Sequence, residues 1–151
     1  MQDAIFKPAE RSDISTLARF MRELYEFDRT PFDEQAARET LEKFLSGEMP
    51  ARIWLIESGG KEIGYIVITF GCSLEFRGKD AFLDEIYITE NNRGRGVGRQ
   101  ALEFVEQFCR SERVEALHLA VERENRRAQE VYRQFGFKAH DRYLMTKWIS
   151  R

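Results

Sequence analysis

Arg93-Gly94-Arg95-Gly96-Val97-Gly98-Arg99 is the stretch on which the reading of this chain turns. It follows an alternating apolar segment, Phe82-Leu83-Asp84-Glu85-Ile86-Tyr87-Ile88, which predicts a strand. Behind it Val97, Ala101, Leu102, Val105 and Phe108 recur on one side of a helix expected over about 97–110. The glycines have no Cβ, so the backbone there can turn tightly and come close to a ligand. A helix opening at this point leaves its first amides unpaired at the positive end of its dipole. With arginines at 93, 95 and 99, these features predict an anion site, most naturally for a phosphate. A P-loop would need Gly-Lys-Ser/Thr where this chain has Gly98-Arg99-Gln100, and the dinucleotide fingerprint would need Gly or Ala where it has Arg99. Both readings fail. A flexible turn with solvated arginines is the plain alternative.

Outward from the loop, helices and strands alternate without a long linker. Toward the N-terminus, Ile5-Phe6-Lys7-Pro8 predicts a short strand, and Ser12-Asp13 offers a cap for a helix carrying Ile14, Leu17, Met21 and Leu24. A second helix carries Ala37, Leu41, Phe44 and Leu45. Ile53-Trp54-Leu55-Ile56, the Gly59-Gly60 turn and the run from Ile63 to Phe70 predict an antiparallel hairpin. Beyond the loop come a strand over 116–121, a helix bearing Ala128, Val131, Tyr132 and Phe135 with Gly136 at its end, and a last strand within 137–148. The order describes a mixed α/β domain.

Composition bounds the function. A chain of 151 residues buries roughly two thirds of its unfolded surface, enough for one core, so a single domain over 1–151 is expected. The formal charge of −2 argues against a general nucleic-acid binder, and no apolar run approaches the length of a membrane helix. The N-terminus lacks the n- and h-regions of a signal peptide, so a reduced, cytoplasmic setting is expected. Cys72 and Cys109 are too few and too scattered for a disulfide framework and are expected to be buried thiols; with His118 and His140 they give no metal-ligand spacing.

Two motifs together bring a family into view. Arg93-x-x-Gly96-x-Gly98 after Ile86-Tyr87-Ile88 resembles the acetyl-CoA pyrophosphate loop of the GNAT superfamily of N-acetyltransferases. The segment Asn125-Arg126-Arg127-Ala128-Gln129-Glu130-Val131-Tyr132-Arg133-Gln134-Phe135-Gly136-Phe137 resembles the Asn-x-x-Ala-x-x-x-Tyr-x-x-x-Gly-Phe signature of the same superfamily. The order of elements agrees over nearly the whole chain. The resemblance implies a central mixed sheet of about six or seven strands flanked by about four helices. One departure is Glu90, three residues before the motif arginine, where many relatives have proline; it is read as a change in loop stiffness.

The resemblance also implies roles. Backbone groups of the strand before the loop, at Ile86, Tyr87 and Ile88, would hold the pantetheine arm of acetyl-CoA as an added strand. Amides of Arg95, Gly96, Val97, Gly98 and Arg99 would hold the diphosphate, with Arg93 and Arg95 neutralising it. Asn125 would contact the cofactor arm. Tyr132 lies seven residues, about two helical turns, further on the same face. Its hydroxyl would protonate the departing thiolate, a role for a side chain whose free pKa is near 10. A core aromatic role for Tyr132, beside Val131 and Phe135, stays open.

An amine with pKa about 10.4 arrives protonated, so direct transfer without an acyl-enzyme needs a proton acceptor. Asp84 is preferred, through water, because relatives carry a carboxylate or histidine four residues before the strand's last apolar position, here Ile88. Glu85 is second, and water alone is the third choice. Strict alternation would put Asp84 on the face of Phe82, Ile86 and Ile88. The aromatic and acidic connection from Leu24 to Glu34, with Glu75 and Asp80, suits a cationic acceptor: a small basic amine, or a lysine or N-terminal amine of a peptide. No metal is implied. Tyr143-Leu144-Met145 could pair two copies of the chain. The alternative to an enzyme is a non-catalytic module that senses CoA or another phosphate ligand.

Overall fold

The computed structural model describes residues 3–150, which fall into two compact units, one ending at Ala120 and one starting at Val121. The first holds a mixed sheet of β1 (Ile5–Pro8), β2 (Ala51–Ser58), β3 (Lys61–Ser73), β4 (Gly78–Ile88) and β5 (Ala116–Leu119), in that spatial order. All neighbours are antiparallel except β4 and β5, which run parallel. Parallel neighbours need a crossover, and α3 (Val97–Ser111) supplies it.

Alternation along β2 and β3 divides the apolar residues between the two faces. Ile53, Leu55, Tyr65, Val67 and Tyr87 form one core with α1 (Ile14–Phe27) and α2 (Glu34–Leu45). Trp54, Ile56, Ile66 and Ile68 turn the other way, where Trp54 meets Phe104 and Phe108 of α3 at centroid distances of 5.2 and 4.7 Å. The central strands therefore read as continuous apolar runs, since neither face meets water. Gly59 and Gly60, at φ +61° and +77°, make the two-residue hairpin between β2 and β3. Gly64 is required for a different reason: a Cβ there would stand 1.9 Å from the Tyr87 carbonyl oxygen.

Capping is local. Asp33 accepts from the Ala36 amide at 3.1 Å and starts α2. Asp13 does not cap α1; its carboxylate turns back to the Glu10 amide at 2.8 Å and closes a short 3₁₀ turn before the helix.

The second unit holds α4 (Arg126–Gln134). The strand expected within 137–148 does not form, and among the described residues the sheet has five strands, not six or seven. A strand exists through its ladder, and no ladder reaches this segment; Tyr143, Leu144, Met145 and Trp148 are exposed instead of seated on a sheet face. The strand expected over 116–121 likewise ends at Leu119, where its pairing with β4 stops. Among the described residues no helix is long and apolar enough to cross a membrane.

Candidate active site

Gly96 is the N-cap of α3, in the left-handed region at φ +84°, and Gly94 before it lies at φ +75°. Both conformations favour glycine. No side chain caps this helix and no acidic residue stands in its first turn. Its opening amides therefore stay available. Gly98 is different: it has ordinary backbone, and a Cβ there would meet only Ile88 Cδ1, at 3.7 Å. Nothing in the described chain demands a missing side chain at Gly98, although glycine inside a helix costs about 1 kcal/mol relative to alanine. Glu90 opens a 3₁₀ turn, Glu90–Asn92, after Thr89 at ψ 146°; that is the backbone a proline at 90 would want, so the departure leaves the turn intact.

The strand before the loop has a free edge. β4 pairs with β5 only from Asp80 to Leu83, and no strand of the sheet pairs residues 84–88 on that side. The Thr89 amide donates to the Ile63 carbonyl at 2.8 Å, which sets the phase of the β3–β4 ladder. Main-chain groups of Tyr87 and Glu85 turn toward β3, and those of Ile86 and Ile88 turn to the open edge. The Ile88 carbonyl accepts there from Arg93 Nε at 2.8 Å. Of the three expected backbone contributors, Ile86 and Ile88 thus face outward and Tyr87 does not. The Arg93 guanidinium also lies 5.1 Å from the Phe27 ring and 5.5 Å from the Tyr87 ring. Arg95 and Arg99 are exposed.

A bulge breaks the alternation expected for β4. Val67 pairs with Glu85 and Ile68 with Leu83, so Asp84 is the extra residue. Leu83 and Ile86, three apart, consequently share the α3 face, and Glu85 drops to the opposite face with Val67. The face shared by Asp84, Phe82, Ile86 and Ile88 does not exist as expected, because the strand changes phase at Asp84 itself. Glu85 accepts from Tyr25 Oη at 2.5 Å and from Tyr65 Oη at 2.6 Å. Burial raises its carboxyl above the usual range, with the two hydroxyls opposing the shift. Asp84 is exposed on the surface yet flanked by enough protein that desolvation also raises its carboxyl. Tyr25 and Tyr65 are pushed up by burial first and then by Glu85. Tyr87, buried and hydrogen-bonded to Glu23, is pushed up to about 12 against the opposing charge of Arg93. Sequence reasoning missed the tyrosine pair; the available signal was a tyrosine inside the apolar run of β3, since a buried hydroxyl needs a partner.

Several acids of the expected acceptor region already have structural work. Asp33 caps α2, Glu34 holds Arg22 and Arg38, and Asp80 bonds His118 Nε2 at 3.2 Å. Phe76 and Phe82 lie beside the His118 ring at centroid distances of 4.5 and 5.8 Å. Cys109 is buried and its thiol is pushed up to about 11, whereas Cys72, near the end of β3 opposite Lys79, is exposed, contrary to expectation. Among the described residues no group of three or more His, Cys, Asp and Glu could hold a metal.

In the second unit several residues of the Asn-to-Phe signature have local tasks. Asn125 Oδ1 accepts from the Ala128 amide at 3.1 Å and caps α4. Gly136, at φ +100°, lets the chain leave the helix while its amide donates to the Arg133 carbonyl at 3.0 Å. Phe137 then meets the Tyr132 ring edge to face at 5.9 Å.

Known proteins resemble this chain in sequence and in fold. The profile of the Acetyltransferase (GNAT) family matches residues 18–137. Thialysine N-epsilon-acetyltransferase of Mus musculus is 26% identical over 158 residues, covering 99% of this chain and 92% of that protein. An integron cassette protein from the mobile metagenome of Cole Harbour Salt Marsh superposes with a TM-score of 0.82 at 32% identity, over 95% of this chain and 90% of that one. The fold also matches aminoglycoside N-acetyltransferase AAC(6')-Iy, solved in complex with CoA, with a TM-score of 0.80 at 16% identity over 98% and 96% of the two chains.

Proposed function

The chain belongs to the acetyltransferase (GNAT) family, and from that premise we propose that it is an N-acetyltransferase taking acetyl from acetyl-CoA to a cationic primary amine. The observation that carries the reading is an uncapped helix start beside an unpaired strand edge. Gly98, in the first turn of α3, leaves the backbone there open to a ligand. Both units serve one domain in this reading.

Acetyl-CoA, when bound, supplies an activated acyl carbon and a thiolate leaving group. Amides of Arg95, Gly96, Val97, Gly98 and Arg99 hold its diphosphate, and Arg95 and Arg99 balance the charge. The outward backbone groups of Ile86 and Ile88 hold the arm as an added strand. Asp84 takes the proton of the incoming ammonium, through water. Glu85, with both oxygens already accepting from tyrosines, fixes the backbone and charge beside it. The amine nitrogen then attacks the acyl carbon directly; as the C–S bond of the adduct breaks, Tyr132 gives its proton to the departing sulfur and is reprotonated by the second proton that the nitrogen sheds on becoming an amide. A buried Cys109 whose thiol keeps its proton at neutral pH offers no competing nucleophile.

The names of two similar proteins support an amine as acceptor. One relative is named for the ε-nitrogen of thialysine and a structural neighbour for aminoglycosides, both amines. The test is thiol release from acetyl-CoA across polyamines, lysine analogues, aminoglycosides and lysine peptides. Turnover with at least one amine is expected. Saturable acetyl-CoA binding with no amine accepted would turn the reading toward a ligand sensor, and absence of binding at millimolar concentration would end it.

A further inference from the structure

Arg93 stands where the loop motif begins, and its position suggests phosphate neutralisation. Its contacts describe another task. Nε is committed to the Ile88 carbonyl at 2.8 Å, and the flat guanidinium lies near two rings, Phe27 at the end of α1 and Tyr87 on β4. These contacts hold the last carbonyl of β4 on the open edge, while the amide of the same peptide, that of Thr89, is held by Ile63 on β3. Arg95 and Arg99 are exposed and flank the uncapped amides of α3, Arg99 Nε reaching only the exposed Glu103 one turn on, at 3.3 Å.

We propose that Arg93 is a positioning residue for the thioester arm and not a ligand of the diphosphate: it locks the Ile88 peptide so that the open edge of β4 is already shaped to receive an added strand. The inference rests on acetyl-CoA being the donor. A preset edge avoids the ordering cost that a frayed strand end would add to binding. Arginine suits this place and lysine does not. A lysine keeps the charge but has neither a donor at the Nε position nor a planar face to lie against two rings.

The test separates charge from shape with two ligands, measured by calorimetry at low and high salt. One is acetyl-CoA; the other is adenosine 3′-phosphate 5′-diphosphate, which keeps the diphosphate and lacks the arm. Arg93→Lys and Arg93→Met are each expected to weaken acetyl-CoA by about tenfold or more, the scale of one lost hydrogen bond from a charged donor, while the nucleotide changes by less than about twofold. Arg93→Lys binding acetyl-CoA like wild type, with Arg93→Met losing both ligands in a salt-dependent way, would overturn the proposal in favour of neutralisation. Equal loss of both ligands in Arg93→Lys overturns it too. Should neither variant fold, Phe27→Leu decides: weakening confined to acetyl-CoA supports the lock, and weakening of both ligands or of neither overturns it. Wild-type protein that binds the nucleotide but not acetyl-CoA would remove this inference together with the proposed donor. Wild-type binding of acetyl-CoA isolates any failure to Arg93.

Discussion

At the start of α4, Asn125 accepts from the Ala128 amide at 3.1 Å; at the start of α3, Gly96 has no side chain with which to accept anything. Both helices leave their first amides without partners inside the helix, so the same need is met by the chain in one place and left open in the other. The closed start is a stability device. The open one, with glycine at φ +84° and arginines around it, gives up that stabilisation and keeps its donors for an anion. The same contrast recurs inside β4. Glu85 is closed by two tyrosine hydroxyls, while Asp84, its neighbour at the bulge, is exposed.

The largest expected effect comes from closing the open start. Gly96→Asp places a side-chain acceptor and a negative charge at the α3 amides. Losing one charge-assisted bond and reversing the local field costs about 3 kcal/mol of binding, or roughly 100-fold in acetyl-CoA affinity by calorimetry. Affinity within about threefold of wild type would break the comparison, because the open amides would then not be the anion site.

Opening the closed start costs stability instead. Asn125→Ala is expected to lower unfolding free energy by about 1 kcal/mol in denaturant titration, whereas Asn125→Asp keeps the cap. If Asn125→Asp nevertheless raises the KM for acetyl-CoA without loss of stability, the asparagine both caps α4 and meets the cofactor. An unchanged stability in Asn125→Ala would show that the cap seen at Ala128 carries no weight.

The β4 pair sharpens the contrast through pH. Glu85 binds its proton more tightly folded than unfolded, since burial raises its carboxyl. Such a group takes stability away as pH climbs from its unfolded value, about 4.3, past its raised folded one. Glu85→Gln should flatten that part of the stability–pH curve relative to wild type, measured by thermal unfolding from pH 4 to 8. Parallel curves for the two proteins would mean that the tyrosines offset the burial completely.

The smallest effect concerns the turn that leads into the loop. Thr89 already has the extended backbone of a residue before proline, and Glu90 holds the first position of its turn. Glu90→Pro should therefore raise stability by about 0.5 kcal/mol, chiefly by restricting the unfolded chain, with acetyl-CoA affinity unchanged. A destabilised variant would show that the loop needs freedom at this position.

Much of the site could be read from the residues in order, because its parts are local. Glycines at 94, 96 and 98 between a strand pattern and a helix pattern locate the amide cradle within a few residues. The Asn125-to-Phe137 signature is one helix with its two caps, again a matter of neighbours. The Tyr25–Glu85–Tyr65 group joins residues 60 and 20 positions apart, and no periodicity reports such a meeting. The bulge at Asp84 escaped for a related reason: β4 has a regular apolar pattern on either side of it, and only the register against β3 shows that the phase changes.

The chain's own order of residues determined which backbone donors are left free, since a cap, a glycine or a proline acts within one turn of where it stands. Tertiary structure decided how those donors are used around them. It made Asp84 the bulged residue and tied Glu85 to Tyr25 and Tyr65, and it pressed Arg93 against the strand edge beside Phe27. The reason is range: capping and turn geometry depend on three or four consecutive residues, whereas the burial of a carboxylate or the grip on a guanidinium depends on which strands and helices the fold happens to bring together.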